Sequence, residues 1–317
     1  MPPNALTAPV LKPGKFANPD VALNGQPRAR VALRALDTLW FNTGTLCNLT
    51  CANCYIESSP RNDRLAYLTA AEVAAYLDEI AILRLPTREI GFTGGEPCLN
   101  PELPAMLEDV LARGHTALVL TNAMAPLRKI RPQLLDLHAR HGARLRFRVS
   151  LDHYAAPVHE AERGKRSWKP AIDGLVWLAT HGFPLDVAAR SLSGEPERVL
   201  RDGFARLFAE LNVKLDAHDP VRLMVFPEMD AGRDVPEITE ACWGILQKSP
   251  DSVMCASSRM VVKRKGAANP AVLACTLLAY DRQFELGATL AEATGPVALN
   301  HPHCAAFCVL GGAACSR

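Results

Sequence analysis

The sequence predicts an α/β fold: a parallel sheet with its helices outside, followed by a small cysteine-rich extension. Two observations carry this. Six short apolar runs alternate with helix-length amphipathic stripes over the first two thirds of the chain. Six of the ten cysteines then fall in the last quarter of the 317 residues. An apolar fraction of 49% is ample for a core, and the length suits one domain of about 200 residues with an added piece.

Residues 1–36 carry prolines and no periodicity. They are expected to form an arm packed on the sheet, or to be partly disordered. Residues 39–43 read as the first strand and lead into the loop GTLCNLTCANCYIES. Thr69 and Glu72 have the spacing of a capping box, and Val73, Tyr76, Leu77, Ile80 and Leu83 continue as a helical stripe. Residues 90–92 form a second apolar run, ended by Thr93-Gly94-Gly95-Glu96-Pro97, after which Pro101 opens a helix that Gly114 closes. Residues 116–121 give the third strand, and the helix after it ends at Gly142. Leu145, Phe147 and Val149 alternate along the fourth. A helix over 167–182, a strand over 185–190, a helix over 198–211 and a strand over 221–226 complete six β–α units. Crossovers of this kind are right-handed. In parallel barrels the chemistry sits at the C-terminal ends of strands, which nominates Thr121-Asn122, Ser150-Leu151-Asp152, Arg190-Ser191 and Pro227-Glu228.

The chemistry begins with Cys47, Cys51 and Cys54, spaced C-x3-C-x2-C. A closed structural metal site takes four protein ligands, whereas a reactive one keeps a position open. Iron–sulfur cubes are normally held by four thiolates, so a cube on three leaves one iron free. A zinc site recruiting a distant fourth ligand has the same spacing, while three close cysteines leave one over in any disulfide scheme. In the second motif, paired Gly94 and Gly95 allow close approach to the backbone, and Glu96 can accept from an ammonium group. Alone, this motif reads more readily as an ordinary strand-to-helix turn than as a site.

The two motifs together, one strand apart, resemble the signature of the radical S-adenosylmethionine (radical SAM) superfamily. The resemblance implies an open, partial (β/α)6 TIM-like barrel over residues 37–230, which periodicity alone does not distinguish from a closed one. It implies a catalytic 4Fe–4S cluster on Cys47, Cys51 and Cys54 that binds SAM and cleaves it reductively to a 5′-deoxyadenosyl radical. Gly94, Gly95 and Glu96 then hold SAM's amino end, and Ser150 with Asp152 its ribose, unless that pair only caps the loop, which fits the sequence equally. Arg190 suits SAM's carboxylate, or equally an ion pair. The electron comes from a low-potential donor such as flavodoxin or ferredoxin. One departure is Asn53, which stands where many members carry an aromatic residue before the third cysteine; here the aromatic, Tyr55, follows it. By position alone, Asp152 and Glu228 are the nearest candidates for a catalytic acid or base.

Residues 231–317, beyond a proline-bearing junction at 216–236, resemble the SPASM or twitch extensions of that superfamily. The resemblance implies one auxiliary 4Fe–4S cluster on Cys255, Cys275, Cys304 and Cys308, with Cys315 able to replace one of the last two. Cys242 and Cys98 are expected to be small buried apolar side chains. Cysteines with His301 and His303 would also make a tetrahedral zinc site.

A net charge of +2 gives no field for nucleic acid, and no apolar run is long enough for a membrane helix. The first residues lack an apolar signal core, so a reducing cytoplasmic setting is expected, in which clustered cysteines bind metal. The expected activity is hydrogen abstraction from a substrate, favouring a peptide or protein over a small molecule. The non-enzymatic alternatives are an iron–sulfur electron carrier or a zinc-binding structural protein.

Overall fold

The computed structural model describes residues 9–191 and 194–312. A nine-stranded sheet runs through it. Six strands follow one another in chain order and are parallel: β2 (Thr38–Asn42), β3 (Glu89–Thr93), β4 (Thr116–Thr121), β5 (Leu145–Ser150), β6 (Leu185–Arg190) and β7 (Leu223–Phe226). The connecting helices are α1 (Ala70–Ile82), α2 (Leu103–Ala112), α3 (Ala125–Lys129), α4 (Arg131–His141), α5 (Ala156–Arg163), α6 (Trp168–Thr180) and α7 (Glu197–Glu210). This is the α/β architecture expected, with the sheet open.

Local chemistry explains the elements. Thr69 and Glu72 close a reciprocal capping box at the start of α1, satisfying two orphan backbone donors. Its Val73, Tyr76, Leu77 and Ile80 turn inward. Strand alternation sends Phe41 into the core between sheet and helices and Trp40 to the opposite face. There the Trp40 ring lies over Gly91, its register partner, where a Cβ would stand 2.2 Å from the ring.

The C-terminal segment extends the sheet beyond β2. Strand β8 (Ser258–Val262) pairs in parallel with β2, and β9 (Ala271–Leu273) and β10 (Glu285–Gly287) add antiparallel beyond it. A short helix, α8 (Cys242–Leu246), precedes them, and a π-helix, Cys304–Leu310, follows. Residues 9–36 pack largely on the C-terminal segment, with Leu36 in the core between sheet and helices. Strand β1 (Arg30–Val31) pairs with β11 (Val297–Ala298). The Arg28 side chain is fully buried, donating to Glu237, at 2.6 Å, and to the carbonyls of Asn18 and Val21. A charged side chain so placed reads as surface in a sequence, which is why the arm's partner was not legible. Among the described residues no helix is long and apolar enough to cross a membrane.

Candidate active site

The loop after β2 and the turn after β3 are laced together by backbone. Gly95 N–H donates to Gly44 O (2.8 Å), Glu96 N–H to Leu46 O (3.1 Å), and Thr43 N–H to Thr93 O (2.8 Å). The glycines permit this approach. A Cβ on Gly95 would stand 2.2 Å from Leu46 O, and one on Gly94, whose φ is +136°, would stand 2.5 Å from Gly44 O. They thus seat the cysteine loop, and both glycines also line the cavity beside it.

The result is a cavity at the C-terminal strand ends, with about 1140 Å³ of space not filled by protein, open solvent included. Cys47, Cys51 and Cys54 line it together with Thr93, Gly94, Gly95, Ser150, Asp152 and Arg190. Burial pushes the Cys47 thiol up to about 12 and the Cys51 thiol up to about 11. As thiols they stay protonated at neutral pH; bound to a cation they ionise. The surroundings suit thiolate–iron bonding, because backbone N–H groups already point at sulfur. Leu49 N–H donates to Cys47 Sγ at 3.4 Å and Ser58 N–H to Cys54 Sγ at 3.3 Å. Three cysteines facing one cavity, with donors on two of their sulfurs, fit a three-thiolate cluster.

Glu96 does not line this cavity. Its buried carboxylate accepts from Thr121 Oγ1 (2.8 Å), Asn122 N–H (2.8 Å) and Cys98 N–H (3.1 Å). Burial raises its pKa against the pull of these donors. It ties β3 to the end of β4. Asp152 is held bidentately by Arg163, at 2.7 and 2.9 Å. Burial alone would raise its pKa, yet the Arg163 charge and hydrogen bonds outweigh burial and hold it below the ordinary carboxylate value. Arg190 reaches Glu162 (2.7 Å), Glu228 (2.9 Å) and Asn53 O (3.2 Å), which is the ion-pair alternative realised. Burial, with the neighbouring Glu162, Asp152 and Asp230, raises Glu228 against the opposing Arg190 charge.

Sequence reading missed α5, and with it Glu162 and Arg163. The Glu162 carboxylate accepts from both Asn53 N–H (2.9 Å) and Asn53 Nδ2 (3.0 Å), and its carbonyl accepts from Ala52 N–H (2.8 Å). It thus clamps the chain between the second and third cysteines. The available signal was EAER close after the strand end at Ser150, two acids and an arginine.

A second cavity, of about 390 Å³ with open solvent included, is lined by Cys255, Cys275, Cys304 and Cys308, with His303 beside them. All four thiols expected as auxiliary ligands thus line one cavity. Burial lifts Cys255 to about 12 and raises Cys304 well above the ordinary thiol range. His301 is not on that wall. Among the described residues no three Cys, His, Asp or Glu side chains are grouped to hold a single metal ion. Cys242 lies outside the cavity, half-buried, accepting from Thr239 N–H at 3.4 Å. Cys98 is buried behind the β3 turn, 3.9 Å from Thr121 Oγ1. Cys315 lies outside the described residues.

Comparison with known proteins agrees with this geometry. Residues 41–192 match the family model described as Radical SAM superfamily. The antilisterial bacteriocin subtilosin biosynthesis protein AlbA of Bacillus subtilis is 30% identical over 45% of this chain and 30% of its own length. A GTP 3',8-cyclase of Rhodococcus opacus is 32% identical over 54% of this chain and 50% of its own. The chain thus spans 30% to 50% of the length of these curated relatives. The structure of Streptococcus suis SuiB bound to precursor peptide SuiA superposes with a TM-score of 0.61 at 12% identity, over 83% of this chain and 66% of that one, which is a likeness of fold. Members of the matched family use a 4Fe–4S cluster and SAM. With a three-cysteine cavity at the strand ends of an open parallel sheet and the family match across it, residues 41–192 form a radical SAM domain.

Proposed function

We propose that this protein is an enzyme that cleaves SAM reductively at a cluster on Cys47, Cys51 and Cys54 and takes a hydrogen atom from a peptide or protein substrate. The observation that supports it most is the convergence of the three cysteines with the backbone of Thr93–Gly95 and with Ser150 and Asp152 in one cavity. When bound, the cluster and SAM supply the electron and the carbon radical that the chemistry needs. The protein's own residues position and enclose. The β3 turn holds the cysteine loop from one side, and Glu162 holds it from the other through Asn53. Arg163 fixes Asp152 as a carboxylate beside Ser150, where the pair can exchange hydrogen bonds with ribose hydroxyls. Cys255, Cys275, Cys304 and Cys308 would hold an auxiliary 4Fe–4S cluster, their four thiols sharing one buried cavity. A peptide substrate is supported by the relative AlbA, a bacteriocin biosynthesis protein, and by the fold shared with peptide-bound SuiB. The small-molecule reading rests on the GTP 3',8-cyclase relative.

The test is SAM cleavage. Protein reconstituted with iron and sulfide under anaerobic conditions, reduced and given SAM, is expected to form 5′-deoxyadenosine, and Cys51→Ala to form none. Equal product from both proteins would refute the assignment of the loop. Protein that takes up zinc and no iron would return the reading to a structural metal site.

A further inference from the structure

The chain just after the third cysteine makes a tight turn that is held from outside the cysteine loop. Glu57 N–H donates to Cys54 O at 2.9 Å, and Ser58 N–H donates to Cys54 Sγ at 3.3 Å. Glu57 sits at φ +51°, in the left-handed region that a glutamate keeps only where its surroundings hold it. The peptide joining Ile56 to Glu57 is fixed at both ends. Its N–H is the Glu57 donor to Cys54 O. Its carbonyl, Ile56 O, accepts from Tyr280 Oη at 2.8 Å and from Asn62 Nδ2 at 3.3 Å.

Tyr280 belongs to the C-terminal segment. It lies on the connection between β9 and β10 that also carries Cys275, 224 residues from the carbonyl it reaches. Its phenol is itself placed from two sides. Asn62 Nδ2 donates to its Oη at 3.1 Å, and the Arg64 guanidinium lies over its ring, 3.7 Å from the centroid.

We infer that Tyr280 is a positioning residue for the catalytic cluster: through Ile56 O it sets the turn that aims Ser58 N–H at Cys54 Sγ, and so raises the cluster's reduction potential. This rests on the radical SAM reading and adds a determinant from beyond the cysteine loop. Reduction brings one electron from a low-potential donor onto a thiolate-held cluster, and an N–H on a ligand sulfur favours the more negative state. Leu49 N–H on Cys47 Sγ is supplied by the loop alone, so Tyr280 governs one of two such donors. Without the phenol, Ile56 O keeps only the longer bond from Asn62. The peptide is then free to turn, Glu57 leaves the left-handed region, and Ser58 N–H swings off the sulfur.

The test is Tyr280→Phe in the full chain, which keeps the ring and the Arg64 contact. In iron-reconstituted protein, the electron paramagnetic resonance signal that responds to SAM is titrated against potential. At a fixed potential the ratio of reduced to oxidised cluster is expected to fall about tenfold, a shift of about 59 mV for one electron, while any signal indifferent to SAM keeps its midpoint. In metal-free protein, hydrogen exchange of the Ser58 amide is expected to speed about tenfold, with the amides of α1 unchanged. An unchanged ratio at full iron content, or Ser58 exchange at the wild-type rate, would overturn the inference and leave the radical SAM reading standing. Exchange that speeds equally in α1 would overturn it in favour of a general structural role. If the variant loads too little iron to titrate, the exchange rates decide. Wild-type protein with no SAM-responsive signal would overturn the radical SAM reading, and the tuning of its cluster with it.

Discussion

Gly95→Ala is a one-carbon change whose cost can be worked from the structure. The added Cβ would stand 2.2 Å from Leu46 O, 2.6 Å from Leu46 C and 2.7 Å from Thr45 O. All three are backbone atoms of the cysteine loop, so no side-chain rotation relieves the overlap. The loop and the β3 turn must separate by roughly 1 Å to reach ordinary contact. That lengthens the bonds from Gly95 N–H to Gly44 O and from Glu96 N–H to Leu46 O, now 2.8 and 3.1 Å. Overpacking of this kind costs about 1–3 kcal/mol, and two weakened hydrogen bonds add about 1 kcal/mol each. The expected loss is about 3–5 kcal/mol. The φ of Gly95 lies outside the left-handed region, so the effect is steric contact alone. Gly295→Ala is the control. It has φ −60°, ψ 155° and nothing within 4 Å, and should be neutral or stabilise by about 0.4–1 kcal/mol. Urea unfolding of the metal-free protein and iron content after reconstitution measure both consequences. A Gly95→Ala protein within 1 kcal/mol of wild type and with full iron would refute the argument that this turn seats the cysteine loop.

Three further outcomes follow from the buried charges. Glu162→Ala leaves Arg190 short of a buried partner and Asn53 unheld, and should cost about 3 kcal/mol in urea unfolding, with Cys54 alkylated faster in the metal-free protein; an unchanged alkylation rate would remove Glu162 from the account of the loop. Arg28→Met takes the buried cation from the Glu237 carboxylate, leaving it the Phe16 and Leu23 N–H groups, and the side-chain donors from two arm carbonyls, so limited proteolysis within residues 9–36 should accelerate several-fold, and cleavage at the wild-type rate would show that Arg28 does not hold the arm. His159 is fully buried and its ring nitrogens have no hydrogen-bond partner among the described residues; burial, then the Arg163 charge, lower its pKa to about 4 from 6.5. Between those values the unfolded chain binds the additional proton. Stability should therefore be full above about pH 6.5 and fall by about 3 kcal/mol as pH drops to about 4, a loss that His159→Phe should abolish in urea midpoints.

The barrel was legible because each β–α unit signals itself locally. The strand over 116–121 and the capping box at Thr69 stand where the sequence puts them, and β7 starts two residues later than the apolar run suggests. What escaped was non-local or polar. Helix α5 is eight residues long, begins beside Pro157 and buries His159 and Glu162, so it has no apolar stripe to find. Strand β8 pairs with β2 across more than two hundred residues, and no sequence pattern announces a parallel partner at that distance. At the site, the cysteines and the strand-end Ser150 and Asp152 were readable from spacing and position. The direction of the Glu96 carboxylate was not, because three donors from β4 and the turn itself decide it. Phe307, which lines the same cavity as the three cysteines, was hidden for a similar reason. Its neighbours Cys304 and Cys308 drew the reading toward metal, while the π-helix turns the ring between them toward the other cavity.

The central claim is that SAM meets a cluster held by Cys47, Cys51 and Cys54. Electron paramagnetic resonance of the reduced, iron-reconstituted protein, recorded with and without SAM, tests it most directly. The account predicts a cluster signal whose shape changes when SAM is added, and a Cys51→Ala protein whose remaining signal does not respond. A wild-type signal indifferent to SAM, or one that responds equally without Cys51, would contradict it.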